Sequence, residues 1–148
     1  VIGLLQRVKS AAVEIDGKTV ARIGTGLLVL VGIERDDTEA QAQRLLERLL
    51  GYRVFEDAQR RMNLSLRDLG SDHGGLLLVS QFTLAADTRS GMRPSFTSAM
   101  PPDEARALYS CLLAKALQAW PSTQSGVFGA NMQVRMINDG PVTFSLQV

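Results

Sequence analysis

The side chains that most often carry hydrolytic or metal chemistry are scarce in this chain of 148 residues, which has one histidine, His73, and one cysteine, Cys111. A protein zinc site needs several His, Cys or carboxylate ligands converging on one ion, and neither H-x-x-x-H nor C-x-x-C spacing occurs, so no metal is expected. A Ser-His-Asp triad would have to use His73. That residue lies in Gly70-Ser71-Asp72-His73-Gly74-Gly75, which has the composition of an exposed loop, and a solvated loop histidine is the reading that follows. The glycines beside it form neither G-x-G-x-x-G nor G-x-x-x-x-G-K-[ST], so they make no phosphate cradle. Any catalysis must rest on backbone groups, hydroxyls, amides and the substrate's own functional groups, with no cofactor. Such economy suits an ester that is already reactive, where fixed geometry and N–H donors to an oxyanion supply most of the rate.

Two polar segments remain as candidates. Ser80-Gln81-Phe82-Thr83-Leu84 follows the apolar run Leu76 to Val79 and leads into Ala85-Ala86-Asp87 and the loop Gly91-Met92-Arg93-Pro94-Ser95-Phe96. Strand alternation would send Ser80 and Phe82 to one face and Gln81 and Thr83 to the other. On the residues alone, a strand running out to the surface and a functional site are both open readings. The second segment, Asn138-Asp139-Gly140-Pro141-Val142-Thr143, precedes a closing strand, and by itself reads as an ordinary turn.

The elements that must position these segments are a mixture of strands and helices. Ile2 to Ile15 is rich in β-branched residues, and Asp16-Gly17 turns it into a hairpin with Thr19 to Ile23. Leu27 to Ile33 is apolar on both faces, as in a central strand covered on each side. Asp36 with Glu39 resembles a capping box for a helix that buries Ala42, Leu45, Leu46 and Leu49 and ends at Gly51. Short strands are expected at Tyr52 to Phe55 and Met62 to Leu66. A second helix follows Pro101-Pro102, buries Ala105, Leu108, Tyr109, Leu112 and Ala116, and stops before Pro121; Cys111 lies in it as a packing residue. Val127 to Ile137 and Val142 to Val148 read as two strands separated by Asn138-Asp139-Gly140-Pro141. The expected fold is α/β, with β-sheets packed face to face and two main helices on one side, in a single domain over residues 1–148.

Bulk properties bound the partners. A hydrophobic content of 45% is ordinary for a globule with a core, and the longest apolar runs fall far short of the roughly 20 residues a membrane-spanning helix needs. No basic and apolar leader opens the chain, and one cysteine allows no intrachain disulfide, so a cytoplasmic location is expected and a membrane partner is not. A formal charge of +1 gives no broad basic footprint. DNA is not expected, and any contact with RNA should be small and confined to its end.

Both polar segments resemble the signatures of D-aminoacyl-tRNA deacylases, the S-Q-x-T motif and the Gly-cisPro motif. The likeness continues through Leu5-Gln6-Arg7-Val8, Leu27 to Gly32, Gly51-Tyr52-Arg53, Met62-Asn63-Leu64, Gly91 to Phe96 and Phe128-Gly129-Ala130, in family order over essentially the whole chain. Ser71-Asp72-His73 is extra length in a loop. Related animal-type deacylases carry another motif in place of S-Q-x-T, which sets Ser80 to Thr83 apart from them.

What the resemblance implies is a homodimer whose active site lies at the subunit interface and receives the acceptor end of aminoacyl-tRNA. The Gly140-Pro141 turn of one subunit, with a cis bond, would enter the pocket of the other, bind the substrate α-amino group with its carbonyls and leave no room for an L side chain. Rejection by clash discriminates better than selective attraction, and glycine, lacking a side chain, would pass. Ser80, Gln81, Phe82 and Thr83 would form the catalytic wall, with main-chain N–H groups as oxyanion donors. Arg7 would orient the turn, and Phe128 and Met132 would line the pocket or the adenosine site, with core packing as the more ordinary role for such residues. Arg93 stands either as a phosphate contact or as a solvated loop arginine. Hydrolysis would draw on the neighbouring ribose hydroxyl, with Thr83, which lacks a base, as the lesser nucleophile or an orienter.

Overall fold

β1, Ile2–Ile15, is the strand on which the rest of the protein is assembled. In the computed structural model, which describes residues 1–148, one edge of β1 pairs antiparallel with β8 (Gln133–Gln147) along nearly its whole length. The other edge is shared: residues 2–8 pair with β3 (Gly26–Gly32) and residues 11–15 with β2 (Lys18–Ile23). The hairpin between β1 and β2 turns on Asp16 and Gly17, both at positive φ, as a tight two-residue loop requires. Beyond β3 the sheet continues in parallel to β6 (Gly75–Ser80) and then β7 (Thr123–Ser125).

The two faces of β3 feed two cores. Leu27, Val29 and Val31 point into the larger one, with Leu76 and Leu78 of β6 and the apolar stripes of α1 (Glu39–Gly51) and α3 (Pro102–Ala119). Leu28, Leu77 and Val79 point the other way, against Val8, Ala11 and Val13 of β1 and Ala21 and Ile23 of β2. The expected β/β/α layering is present, and its two β layers are halves of one sheet that folds over itself through β1. The fold is made possible by a change of side-chain parity: Leu5 faces the helical core, whereas Ala11 and Val13, also odd-numbered, face the other with Val8. An extra residue must intervene, and the register with β8 shifts at Gln6/Val8 and again at Val8/Ser10. Bulges of this kind bend and twist a strand.

Several elements differ in detail from the sequence-based expectation. The capping box of α1 is Thr38 with Gln41, not Asp36 with Glu39: the Gln41 side chain accepts the Thr38 N–H at 2.8 Å. Asp37 is occupied upstream, accepting the Glu34 N–H at 2.6 Å. The strand expected to run to Leu66 stops at Leu64 as β5 (Met62–Leu64), paired with β4 (Phe55–Glu56), because Ser65 and Asp68 form a second capping box that opens α2 (Leu66–Leu69). Val127 to Met132 is not extended; it turns at Gly129, whose φ is +78°, and β8 begins only at Gln133. Asn138 to Pro141 does not divide the tail into separate strands, since both flanking stretches stay on β1. The stripe of α3 is buried as expected, at Ala105, Leu108, Tyr109, Leu112 and Ala116. No helix is long and apolar enough to cross a membrane.

Candidate active site

β6 ends at Ser80, and the Gln81 N–H still reaches back to the Val31 carbonyl at 2.7 Å. The chain then tightens into a 3-10 turn, Phe82–Ala85. Period-two alternation therefore stops at the strand end, and Ser80, Gln81 and Phe82 all line one cavity of about 470 Å³, contrary to the alternating expectation. The turn packs down on Gly32, the last residue of β3: a Cβ there would lie 2.7 Å from Leu84 Cβ and 3.2 Å from the Gln81 carbonyl oxygen. Gly32 thus sets the height of the turn above the sheet. The first amides of a helical turn lack partners within it, which leaves the Phe82 and Thr83 N–H groups without an acceptor inside the turn. Thr83 itself is not on the cavity wall. Its hydroxyl accepts a hydrogen bond from Gln81 Nε2 at 2.5 Å, and an amide N–H cannot take a proton from it.

The opposite wall is built by the segment before β8. Phe128 and Met132 line the cavity together with Met100 and Ala105, although they lie far along the chain from Ser80. Phe128 is held from below by Tyr109, ring centroids 5.8 Å apart. The Tyr109 hydroxyl donates to the Leu78 carbonyl at 3.0 Å and lies 2.9 Å from Ser125 Oγ, and burial pushes its pKa up to about 12. Met132 rests against Gly126, where a Cβ would meet its sulfur at 2.6 Å. None of the residues lining the cavity carries an ionisable side chain. A more open depression of about 510 Å³ on the other side of the turn includes Asp87 and Arg89, but these two close on each other at 2.6 Å. The hydrogen bonds from Arg89 hold the Asp87 carboxyl well below the usual carboxylate range.

Gly140, Pro141 and Arg7 form a second cluster. β8 pairs Asn138 with Val8 and Thr143 with Gln6, so residues 139–142 loop out opposite Arg7 alone. Within this loop the Gly140-Pro141 bond is cis. Gly140 sits at φ +134°, and a Cβ would meet Val142 Cγ2 at 2.7 Å and Arg7 Nη2 at 3.3 Å. Arg7, only 6% exposed, donates from Nε to the Asp139 carbonyl at 3.1 Å and from Nη1 to the Val54 carbonyl at 2.6 Å. Asn138 adds a clasp by accepting the Val142 N–H at 2.9 Å and donating to Thr143 Oγ1 at 3.0 Å. The turn is tied down from within while Gly140 and Pro141 stay exposed.

The two clusters do not meet within one chain. Arg7 pairs with Leu27 and Leu27 with Leu76, whereas Ser80 pairs with Val31. From turn to cavity is therefore three strand spacings across and four residues along, on the order of 20 Å over the sheet. His73 lies at the other end of β6 from Ser80, roughly 17 Å along the strand, in a depression with Arg22 and Ser122. No three His, Cys, Asp or Glu side chains converge on a point. Sequence reasoning missed Gly32 and the cavity roles of Met100 and Ala105, around the start of α3, and of Asn131, beyond the turn at Gly129.

The family model described as D-Tyr-tRNA(Tyr) deacylase matches residues 4–147. A D-aminoacyl-tRNA deacylase of Stutzerimonas stutzeri (strain A1501) is 61% identical over 98% of this chain and 98% of its own length. Another, of Ralstonia nicotianae (strain ATCC BAA-1114 / GMI1000), is 60% identical over 99% of this chain and 90% of its own. A solved structure described as c-Myc DNA Unwinding Element Binding Protein superposes with a TM-score of 0.93 at 35% identity, over 100% of this chain and 99% of that one. A probable eukaryotic D-amino acid tRNA deacylase shares the fold, with a TM-score of 0.82 at 19% identity over 98% of each chain. The chain belongs to the D-Tyr-tRNA(Tyr) deacylase family.

Proposed function

We propose that this protein is an editing hydrolase that cleaves the ester between a D-amino acid, or glycine, and the end of tRNA, and that two copies assemble to do so. The observation that carries the reading is a cavity of about 470 Å³, walled by Ser80, Gln81, Phe82, Phe128 and Met132, with no ionisable side chain in its lining. A cavity so equipped has no general acid or base to offer. It can still orient a reactive ester, present N–H donors where an oxyanion develops, and leave proton transfer to the substrate's neighbouring ribose hydroxyl and water.

Selection against L substrates falls to the Gly140-Pro141 turn of the second copy. The turn is exposed, anchored by Arg7 and separated from its own chain's cavity, which is the arrangement expected of a group that completes a neighbour's site. A rigid backbone clamp admits hydrogen at the position an L side chain would occupy, so glycine passes with D-amino acids.

A deacylation assay with matched D-, L- and glycyl-tRNA tests the activity: D and glycyl esters are cleaved and L esters survive, while equal cleavage of L would remove the filter. Mixing tests the composite site. Gln81→Ala chains and Gly140→Ala chains, each inactive alone, should regain about a quarter of wild-type activity after random pairing, since half the dimers then hold one intact site of two. No recovery on mixing would place both clusters in service of a single chain. The relative described as a DNA unwinding element binding protein favours a second reading, DNA binding. A formal charge of +1 offers little of the cationic surface that DNA affinity draws on. Excess duplex or single-stranded DNA should therefore leave deacylation unchanged.

A further inference from the structure

We infer that Arg106, laid over Phe128 and Gly129, forms a phosphate subsite at the mouth of the cavity and takes the phosphodiester that joins the last two nucleotides of the acceptor end. The inference rests on the reading above, in which the cavity receives the aminoacyl end of tRNA. An uncharged cavity can hold a nucleoside and its ester, but the phosphodiester next to that nucleoside is an anion and must remain at the mouth, where water or a cation can meet it.

Arg106 follows Ala105, a residue of the cavity wall, on α3. Its guanidinium carbon lies 4.8 Å from the centroid of the Phe128 ring. Nη2 lies 3.4 Å from where a Cβ of Gly129 would stand, so the group rests close on bare backbone. The ion pairs of the protein leave it out: Asp139, Asp87 and Glu14 pair with Arg7, Arg89 and Arg135 instead. A guanidinium held over an aromatic face is restrained there, and with no ion pair or hydrogen bond of its own it keeps N–H donors for bidentate contact with two phosphate oxygens. Asp103 and Glu104 in the first turn of α3 have the opposite sign and make no ion pair with Arg106. The exposed guanidinium thus gains a use that the fold itself does not require.

The test separates phosphate from the rest of the substrate. Arg106→Ala and Arg106→Lys are assayed on D-aminoacyl-tRNA and on D-aminoacyl-adenosine, which has the same ester and nucleoside without the phosphate. Arg106→Ala should raise KM for the tRNA substrate about tenfold with little change in kcat. The same variant should leave kcat/KM for the adenosine ester within about twofold, and Arg106→Lys should recover part of the loss. The slope of log KM against log salt should fall by about 0.7, the share of one phosphate contact on a single strand. As a second measurement, adenosine 5′-monophosphate should inhibit the wild type more strongly than adenosine, and Arg106→Ala should erase that difference. Equal losses on both substrates would make Arg106 a support for Phe128 and overturn the subsite, as would an unchanged KM and salt slope. A wild-type protein that hydrolyses neither ester would overturn the deacylase reading itself, and the subsite with it.

Discussion

Replacing Gly32 by alanine should damage activity far more than its cost in stability suggests. The new Cβ would stand 2.7 Å from Leu84 Cβ and 3.2 Å from the Gln81 carbonyl oxygen. Neither is the loose end of a side chain, so relief requires the backbone of the 3-10 turn to move. Ordinary contact begins at 3.4 Å, which sets the displacement at about 0.7 Å or more. Overpacking on this scale costs about 1–3 kcal/mol of stability. Under the proposed function the same movement would shift Gln81 and Phe82 relative to the ester they orient, and misplacement approaching 1 Å costs about 10- to 100-fold in rate. The assay pairs kcat/KM for D-aminoacyl-tRNA with urea unfolding, and Gly3→Ala is the control. A Cβ at Gly3 would meet Leu45 Cδ1 at 2.9 Å, in the helical core and at the mobile end of a side chain. That variant should lose comparable stability and keep its activity within about twofold. A Gly32→Ala protein with wild-type kcat/KM, or a Gly3→Ala protein equally impaired, would refute the claim that the height of the turn governs the site.

Arg7→Ala strips two carbonyls, of Asp139 and Val54, of their donor, and should cost about 1–3 kcal/mol in urea unfolding while raising cleavage of L relative to D substrates. A stability loss without a change in the D to L ratio would reduce Arg7 to a structural role. Thr83→Ala should slow hydrolysis far less than replacing the vicinal ribose hydroxyl of the terminal adenosine by hydrogen, since the Thr83 hydroxyl has an amide and no base beside it; the reverse ranking moves the nucleophile onto Thr83. For Tyr109 the sign is set by burial, which raises its folded pKa from 10.0 to about 12 and keeps the phenol neutral. Its contribution is therefore intact below pH 10 and is lost as pH climbs towards 12, a fall on the order of 2–3 kcal/mol. Urea unfolding of the wild type and Tyr109→Phe between pH 9 and 12 checks it, and parallel curves for the two proteins would contradict it.

What could be read from the sequence, and what could not, follows the reach of each signal. The stripe Ala105, Leu108, Tyr109, Leu112, Ala116 repeats within one helix, and β3 is apolar on both faces within seven residues, so local pattern suffices for both. The turn at Phe82–Ala85 is different. Phe and Thr carry β propensity, and what wins is the close approach to Gly32 fifty residues upstream, a tertiary contact with no local trace. Val127 to Met132 likewise looked extended because apolar residues crowd it, whereas Gly129 at positive φ turns the chain and brings Phe128 and Met132 to the cavity. The loop at Gly140-Pro141 was legible as a turn, but its place on a continuous strand depends on four residues facing Arg7 alone. Nothing in the sequence tells a stacked Arg106 from a solvated one. The residues named from the resemblance fall in two clusters, and under the proposed function the physical reason would be selectivity: a clamp that must not yield to an L side chain is better built on anchored backbone than on a side chain that can change rotamer. Such a demand would account for a buried arginine that donates to two carbonyls of its own chain, one of them in the residue before Gly140.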